Sequence, residues 1–507
     1  MFFCKYIKVH FDSIKFNCYN FITVFFLLKK YWDKILLIVL IATYTLILSS
    51  LSISRHNAFA SGFDLGNMDQ TIWNTLHGRF FSLTNGSRTM SRFAIHSDLI
   101  LVLLAPLYLI WNNVRILLFS QSIFLALGSI PIFLLSKKLF KEKLIPLIFV
   151  LIYLLLPGMQ WTNIYDFHGV ALAIPFLLYT FYFIYTKNWF WYWIFILLSL
   201  ITKEQVSATI FLLGLFLIFF QKQRKIGLIT LFISAGWFFL SVFILTPQSN
   251  SGLPNQAWSI FKFSDSKEFS LPSVKFLIQR FFFEKHTIEY YLILLKETGF
   301  LPLFGFPWLI FALPEFLINI LSNQSQFRSI TLHYDSVLTT WLIVASIFGI
   351  KYIQLFLKKI RLTRQFAKQI SYIVLFTGLL ICLRTNYHYS PLPTTPGCWC
   401  YIYQVSQQDR QFDELLQKIP RSASVTASPE IRPHVSQRID SYTLPVATDY
   451  ADFIAIIDQN RIIGDYEPKD FELVLRDQLR TSKKYTLVEH IGHFYLYKKN
   501  SYIWSPI

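Results

Sequence analysis

Charge is what this sequence has least of. Asp, Glu, Lys and Arg make up 15% of its 507 residues, against 54% hydrophobic residues and a mean hydropathy of +0.44. A soluble domain carries about 25% charged residues, so a water-soluble globular protein is excluded. Cysteine is scarce as well: five Cys give no disulfide framework, and Cys398-Trp399-Cys400 is weak as a redox or metal motif. No small-residue cleavage site follows the first long apolar run, which begins at Ile35 behind Lys5, Lys8, Lys15, Lys29 and Lys30. That run reads as a retained first span with a cytoplasmic N-terminus. No internal repeat pairs two halves of the chain, which weakens the case for a secondary transporter. The net charge of +18 would suit nucleic acid, but Lys and Arg come in short runs between apolar segments, as at Lys137-Lys138 and Lys358-Lys359-Ile360-Arg361. Such runs set membrane topology, and no nucleic-acid partner is expected.

What the chain has in excess is apolar length and aromatic rings, with 52 Phe, 27 Tyr and 13 Trp. Stretches able to cross roughly 30 Å of hydrocarbon are 34–54, 114–136, 144–159, 168–186, 189–203, 205–220, 226–246, 337–357 and 368–383. Two more, 97–111 and 301–321, are ambiguous: the first is short, and the second carries Pro302, Pro307 and Pro314. If both crossed, the Lys-rich loops around 137–143, 187 and 222–225 would face outward, against the positive-inside rule. The preferred reading makes both re-entrant or interfacial, with the N-terminus inside and the C-terminus outside. The expected fold is an all-α polytopic membrane bundle of about 9–11 transmembrane helices with a small C-terminal soluble α/β domain. Its divisions are a cytoplasmic segment 1–33, a membrane domain 34–383 with a first outer loop at 55–96, and an extracytoplasmic domain 384–507. In the last, Ser424–Ala427 and Phe453–Ile457 read as strands, Pro468–Leu479 as a helix, and Tyr485–Leu487 with Phe494–Tyr497 as a hairpin. That domain has no Gly-rich phosphate loop and no nucleophile elbow, so catalysis is not placed there.

The preferred topology puts every chemically interesting cluster on one face. Gly62 to Leu76 reads as an amphipathic helix lying on the membrane surface, with Leu65, Met68, Ile72 and Leu76 in one arc. Asp64 sits where an N-cap belongs. Asp69 projects into the apolar arc, where a carboxylate is costly unless paired or functional; its structural alternative is an ion pair with Arg92 or Arg88. Arg92 suits a bidentate grip on phosphate or an interfacial anchor, and His96 follows it. Asp166 and His168 stand before the helix 168–186, Asp166 as a cap and His168 as a proton carrier or ligand. Lys203 and Glu204 either neutralise each other or divide phosphate contact from acid–base or metal duty. His333 and Tyr334 introduce the span 337–357.

In this order, these residues resemble the predicted membrane proteins grouped as domain of unknown function family 2079. The likeness rests on Phe63-Asp64-Leu65-Gly66 with Asp69-Gln70 and Trp73-Asn74, Ser91-Arg92-Phe93 with His96, Asp166-Phe167-His168, Lys203-Glu204 and His333-Tyr334. It extends to Ile419-Pro420, Ser424–Ser428 and Arg438, and covers about 35 to 500. Gln205 stands where an acidic residue is expected after Lys-Glu. That family in turn resembles the GT-C class of integral-membrane glycosyltransferases. The resemblance implies a glycosyltransferase using a polyprenyl-phosphate-linked sugar at the outer face. Asp64 or Asp69 would be the essential first-loop carboxylate, and the helix geometry favours Asp69. Arg92, His96, Asp166, His168, Lys203, Glu204, His333 and Tyr334 would bind substrate. The implied partners are membrane lipid and a lipid-linked donor; the cofactor is unknown, a divalent cation being one option. A transporter or lipid flippase and a non-catalytic membrane scaffold are the alternative readings.

Overall fold

The computed structural model describes residues 2–251, 253, 272–459 and 469–504, with side chains from Lys29 onward. Long apolar runs make long helices. α1 (Phe2–Asn57) leads to α2 (Phe63–Leu76) and a short hairpin of β1 (Ser82–Asn85) and β2 (Arg88–Ser91). Next come α3 (Ile100–Leu104), prolonged by a 3-10 turn to Leu109, then α4 (Arg115–Leu127), α5 (Ser129–Phe140), α6 (Leu144–Leu154) and α7 (Pro157–Tyr165). α8 (Ala173–Thr186), α9 (Trp189–Leu200), α10 (Val206–Phe219) and α11 (Arg224–Phe239) follow, the last running on to α12 (Thr246–Ser249). After α13 (Val274–Ile278) and α14 (Lys285–Glu297), a 3-10 stretch Leu301–Ala312 leads into α15 (Leu313–Leu321), α16 (Ser336–Lys359) and α17 (Arg364–Tyr389). Seven of the described helical stretches are long and apolar enough to cross a membrane, and α6 with α7 forms an eighth, bent by 47° where Pro157 opens the second helix.

The two ends of the bundle differ in chemistry. At one, Asp33 of α1 pairs with Lys137 at 2.7 Å and Lys143 at 3.6 Å, Glu142 pairs with Lys368, and Lys351 donates to the Leu139 carbonyl. Lys141, Lys187, Lys222 and Arg361 end helices here in the left-handed conformation, so cations sit against helix C-termini. The opposite, polar end holds α2, the β1–β2 hairpin and the starts of α8 and α16. Among the described residues α1, α4–α5, α6–α7, α8, α11–α12, α16 and α17 have the length to cross, while α9 and α10 are shorter apolar helices that lead to and from the Lys203–Glu204 turn.

The two ambiguous stretches do not join the ends. α3 begins and finishes at the polar end: Ile100 N–H donates to the Ile201 carbonyl, Tyr108 reaches α2, and Arg115 just beyond holds Asn57. Leu109 and Ile110 are 79% and 81% exposed, the profile of an interfacial helix. Leu301–Leu321 is long enough to cross, yet it pairs with α14 as a hairpin. Arg328, just after α15, sits 3.5 Å from Glu284 at the start of α14, and Tyr290 is bonded to Asn319. The hairpin's tip packs halfway down the bundle, with Gly299 against Gly378 and Gly305 against the Ala345 carbonyl. A Cβ at Gly305 would lie 2.0 Å from that oxygen, so only glycine admits the approach. Pro302 and Pro307 explain the 3-10 winding, because neither can donate to an α-helical ladder.

The C-terminal region comprises α18 (Gln407–Gln417), β3 (Val425–Ala427), β4 (Ser441–Thr443), β5 (Phe453–Ile457), α19 (Asp470–Arg480), β6 (Tyr485–Ile491) and β7 (Phe494–Lys499). Its sheet has the order β4-β3-β5-β7-β6, parallel across β4-β3-β5 and antiparallel through β7 and β6. The expected strands and hairpin are therefore present, with β4 in addition; Pro468 lies outside the described residues. Cys398 and Cys400 form a disulfide where the sequence suggested none.

Candidate functional site

α2 is the centre of the polar end, and it does not lie on a membrane surface. Every residue from Leu65 to Asn74 is buried, because α3 and its 3-10 extension cover one side and the 432–439 segment of the C-terminal region covers the other. The sheet is pinned by Arg432, whose buried guanidinium donates to the carbonyls of Phe63, Thr84 and Ser441 and to the side chains of Asn67 and Gln70. Gly66 makes room for it, since a Cβ there would lie 3.3 Å from the Arg432 side chain. Burial pulls the Arg432 pKa down to about 10 despite the nearby charges of Asp64 and Asp69.

The two acidic residues of α2 have opposite fates. Asp64 is not the N-cap, which is Gly62, but lies in the first turn, on the wall of a cavity of about 470 Å³. Burial works to raise its pKa, but His168, then Arg92 and His96, outweigh it, and the carboxyl is held below its usual range. Asp69 does not line this cavity. It is buried in the seam between bundle and sheet, accepting from Tyr108 Oη at 2.5 Å, from Ser436 Oγ and from Gln437 Nε2 at 3.2 Å. Burial raises its pKa in spite of these bonds. Neither Arg92 nor Arg88 pairs with it: Arg92 forks onto Asp98 at 3.0 and 2.7 Å, and Arg88 bonds Ser251.

Around the cavity stand Asp64, Arg92, His96, His168, Lys203, His333 and Tyr334, with Asn67 and Asp98 beside them. His168 and His333 are stacked, ring centroids 3.8 Å apart, and Tyr334 continues the stack onto Phe327. Neither ring nitrogen of His168 nor Nδ1 of His333 has a hydrogen-bond partner among the described residues. His168 Nε2 stands 3.8 Å from Asp64 Oδ2, an ion-pair distance and too long for a hydrogen bond. Burial, then the neighbouring His168 and Lys203, hold the His333 imidazole well below its ordinary range, so it is neutral at pH 7. Stacked rings cannot both aim in-plane lone pairs at one ion, and no three His, Cys, Asp or Glu side chains among the described residues are grouped to hold a metal.

Two expected residues serve from behind the wall. Asp166 does not cap the following helix; it takes a 2.6 Å salt bridge from Arg55 of α1 and the Gly62 N–H at 2.9 Å, which fixes the entry to α2. Glu204 makes no direct ion pair with Lys203. It accepts from His96 Nδ1 at 2.9 Å and from Ser97 N–H at 3.1 Å. Burial would raise the Glu204 pKa, but His96 and Lys203 bring it down to about 2. Lys203 is thereby left without an ion pair among the described residues, the one cavity cation of which this holds besides the histidines. Gln205, next in the chain, bonds Glu315 at 2.7 Å.

Sequence reading missed Arg55, Asp98 and Arg432. Arg55 was visible as a lone cation ending an apolar run, and Asp98 as the acid two residues past His96. Nothing local marks Arg432, which acts on residues more than 340 positions away.

No curated protein sequence matches the chain significantly. Among solved structures it is similar to ArnT from Cupriavidus metallidurans bound to undecaprenyl phosphate, with a TM-score of 0.52 and 10% identity over 91% of this chain and 97% of that one. It also matches the apo state of the same protein, with a TM-score of 0.49, 10% identity and the same coverage. At that identity the likeness concerns the fold, which is GT-C-like. A family model matches residues 55–500, from the end of α1 through β7, and the chain belongs to the family described as predicted membrane protein, domain of unknown function 2079.

Proposed function

We propose that this protein is an integral-membrane glycosyltransferase that takes a sugar from a polyprenyl-phosphate donor in the cavity at the polar end. The observation that carries the proposal is the convergence, on one cavity, of Asp64, of Lys203 without an ion pair among the described residues, and of two stacked histidines, of which both His168 nitrogens and His333 Nδ1 have no hydrogen-bond partner among those residues. Lys203 holds the donor phosphate, whose charge grows as the bond to the sugar breaks. Asp64 faces the sugar carbon, where positive charge develops as the phosphate leaves. The histidine–tyrosine stack gives the sugar an aromatic wall with hydrogen-bonding edges. Asp64 takes the part that the wheel projection gave to Asp69, because Asp69 already has its hydrogen bonds and lies off the cavity.

The basic end of the bundle belongs in the cytoplasm by the positive-inside rule, which turns the cavity and the C-terminal region outward. A Cys398–Cys400 disulfide at the polar end suits an oxidising compartment. That ArnT is bound to undecaprenyl phosphate in a similar fold supports a polyprenyl-phosphate lipid as partner.

The test uses the purified protein in nanodiscs with a panel of polyprenyl-phosphate-linked sugars, and measures release of polyprenyl phosphate. The expected result is release from at least one donor, lost in Asp64→Asn. Intact passage of the lipid across a bilayer without cleavage would instead make the protein a flippase.

A further inference from the structure

The proposed transfer needs an acceptor for the proton of the attacking hydroxyl, and Asp64 is poorly suited to it. A carboxylate held below its ordinary range is a weak base, whereas an imidazole titrates near working pH. One cavity imidazole is mounted differently from the others. His96 commits Nδ1 to Glu204 at 2.9 Å, while the same carboxylate is fixed by the Ser97 N–H. The bond from Ile100 N–H to the Ile201 carbonyl ties the His96 segment to the turn that carries Glu204. Glu204 stays ionised and can only accept, so Nδ1 carries the proton and the lone pair of the neutral ring falls on Nε2. Nε2 has no partner among the described residues, and His96 lies on the cavity wall with its side chain 25% exposed. His168 and His333, by contrast, are stacked face to face and have no carboxylate at hydrogen-bond distance.

We infer that His96 is the catalytic base of the transfer, with Glu204 as its positioning residue, an assignment that rests on the glycosyltransferase reading above. His96 Nε2 takes the proton of the acceptor hydroxyl as its oxygen bonds to the sugar carbon. The bond from that carbon to the donor phosphate oxygen breaks, and its electron pair leaves with the polyprenyl phosphate. The imidazolium, paired with Glu204, then returns its proton to water or to the departing phosphate. The charged groups facing His96 are Glu204 and Lys203 from the α9–α10 turn, Asp64 from α2, Arg92 and Asp98 from its own segment, and His168 and His333 across the cavity.

The experiment measures release of polyprenyl phosphate against pH, with whichever panel donor the wild type cleaves, for wild type, His96→Ala, His96→Gln and Glu204→Gln. Undecaprenyl phosphate binding serves as the check on folding. Wild type should lose rate on the acid side of its pH profile. His96→Ala should bind undecaprenyl phosphate normally, turn over about 10²–10⁴-fold more slowly, lose that acid limb and regain rate when imidazole is added. His96→Gln, which keeps a bond to Glu204 but cannot take a proton, should be as slow. Glu204→Gln should lower kcat and displace the acid limb without changing lipid affinity. Wild-type turnover with an unaltered acid limb in both His96 variants would overturn this inference and leave the glycosyltransferase reading standing. No cleavage by wild type of any donor would overturn both.

Discussion

Asp64 and Asp69 lie five residues apart on one helix, and their surroundings could hardly differ more. Asp69 faces the segment before β4, receives hydroxyl and amide hydrogen bonds from Tyr108, Ser436 and Gln437, and has its pKa raised by burial. Asp64 faces the cavity, with a histidine at ion-pair distance and cations that keep it ionised. Both look inward, but Asp69 borders only a small pocket of about 70 Å³ in the seam, whereas Asp64 lines the cavity of about 470 Å³. Helical periodicity reports which residues are covered. It does not report what covers them, and here a sheet contributed by distant sequence occupies the side that the wheel assigned to chemistry.

That contrast can be broken from the seam side first. Arg432→Met would remove donors from five acceptors on α2, the β1–β2 hairpin and the sheet, of which Gln70 Oε1 keeps the Thr84 N–H. Stability should fall by on the order of 3 kcal/mol, read as a lowered Tm in detergent; an unchanged Tm would mean the sheet does not hold α2. On the cavity side, Asp98→Asn removes the forked partner of Arg92 and frees a second cation beside Lys203. Undecaprenyl phosphate should bind about tenfold more tightly, with a steeper dependence on salt. Lys203→Met should weaken the same binding by a similar factor.

Acid separates the two regions further. Burial alone would raise the pKa of Asp413 in α18, but His434 at 2.6 Å and Arg115 at 3.3 Å bring it below the usual carboxylate range. A depressed folded-state pKa stabilises the fold above the unfolded value of about 4 and loses that contribution as the pH falls further. Thermal melts of Asp413→Asn should therefore show a flatter decline below about pH 4 than wild type, while lipid binding at pH 7 is unchanged. The smallest effect belongs to Asp69→Asn. The amide keeps an acceptor for Tyr108 or Ser436 and removes a carboxyl that burial already disfavours, so stability should move by no more than about 1 kcal/mol.

Much of this architecture is legible in the sequence, for a physical reason. Hydrocarbon admits only internally bonded segments of fixed length, so the apolar runs delimit the long helices, and the basic loops single out 97–111 and 301–321, the two stretches that pack without joining the two ends of the bundle. The gathering of Asp64, Arg92, His96, His168, Lys203 and His333 at one end follows from the same topology. What stays hidden is pairing. Lys203 and Glu204 are neighbours in sequence yet form no direct ion pair, because His96, 108 residues earlier, takes the carboxylate. Asp166 reads as a cap but belongs to Arg55, which the apolar run of α1 carries in from 111 residues away. The burial of α2 was equally invisible, since its covering sheet begins more than 340 residues later.

The most direct measurement is turnover of a polyprenyl-phosphate-linked sugar by Asp64→Asn and Asp69→Asn, purified side by side with wild type. A cavity role for Asp64 predicts that its amide variant loses at least about 10²-fold in release of polyprenyl phosphate while still binding the lipid. Asp69→Asn should turn over within a fewfold of wild type. The reverse order, with Asp69→Asn inactive and Asp64→Asn active, would contradict the assignment and move the site to the seam.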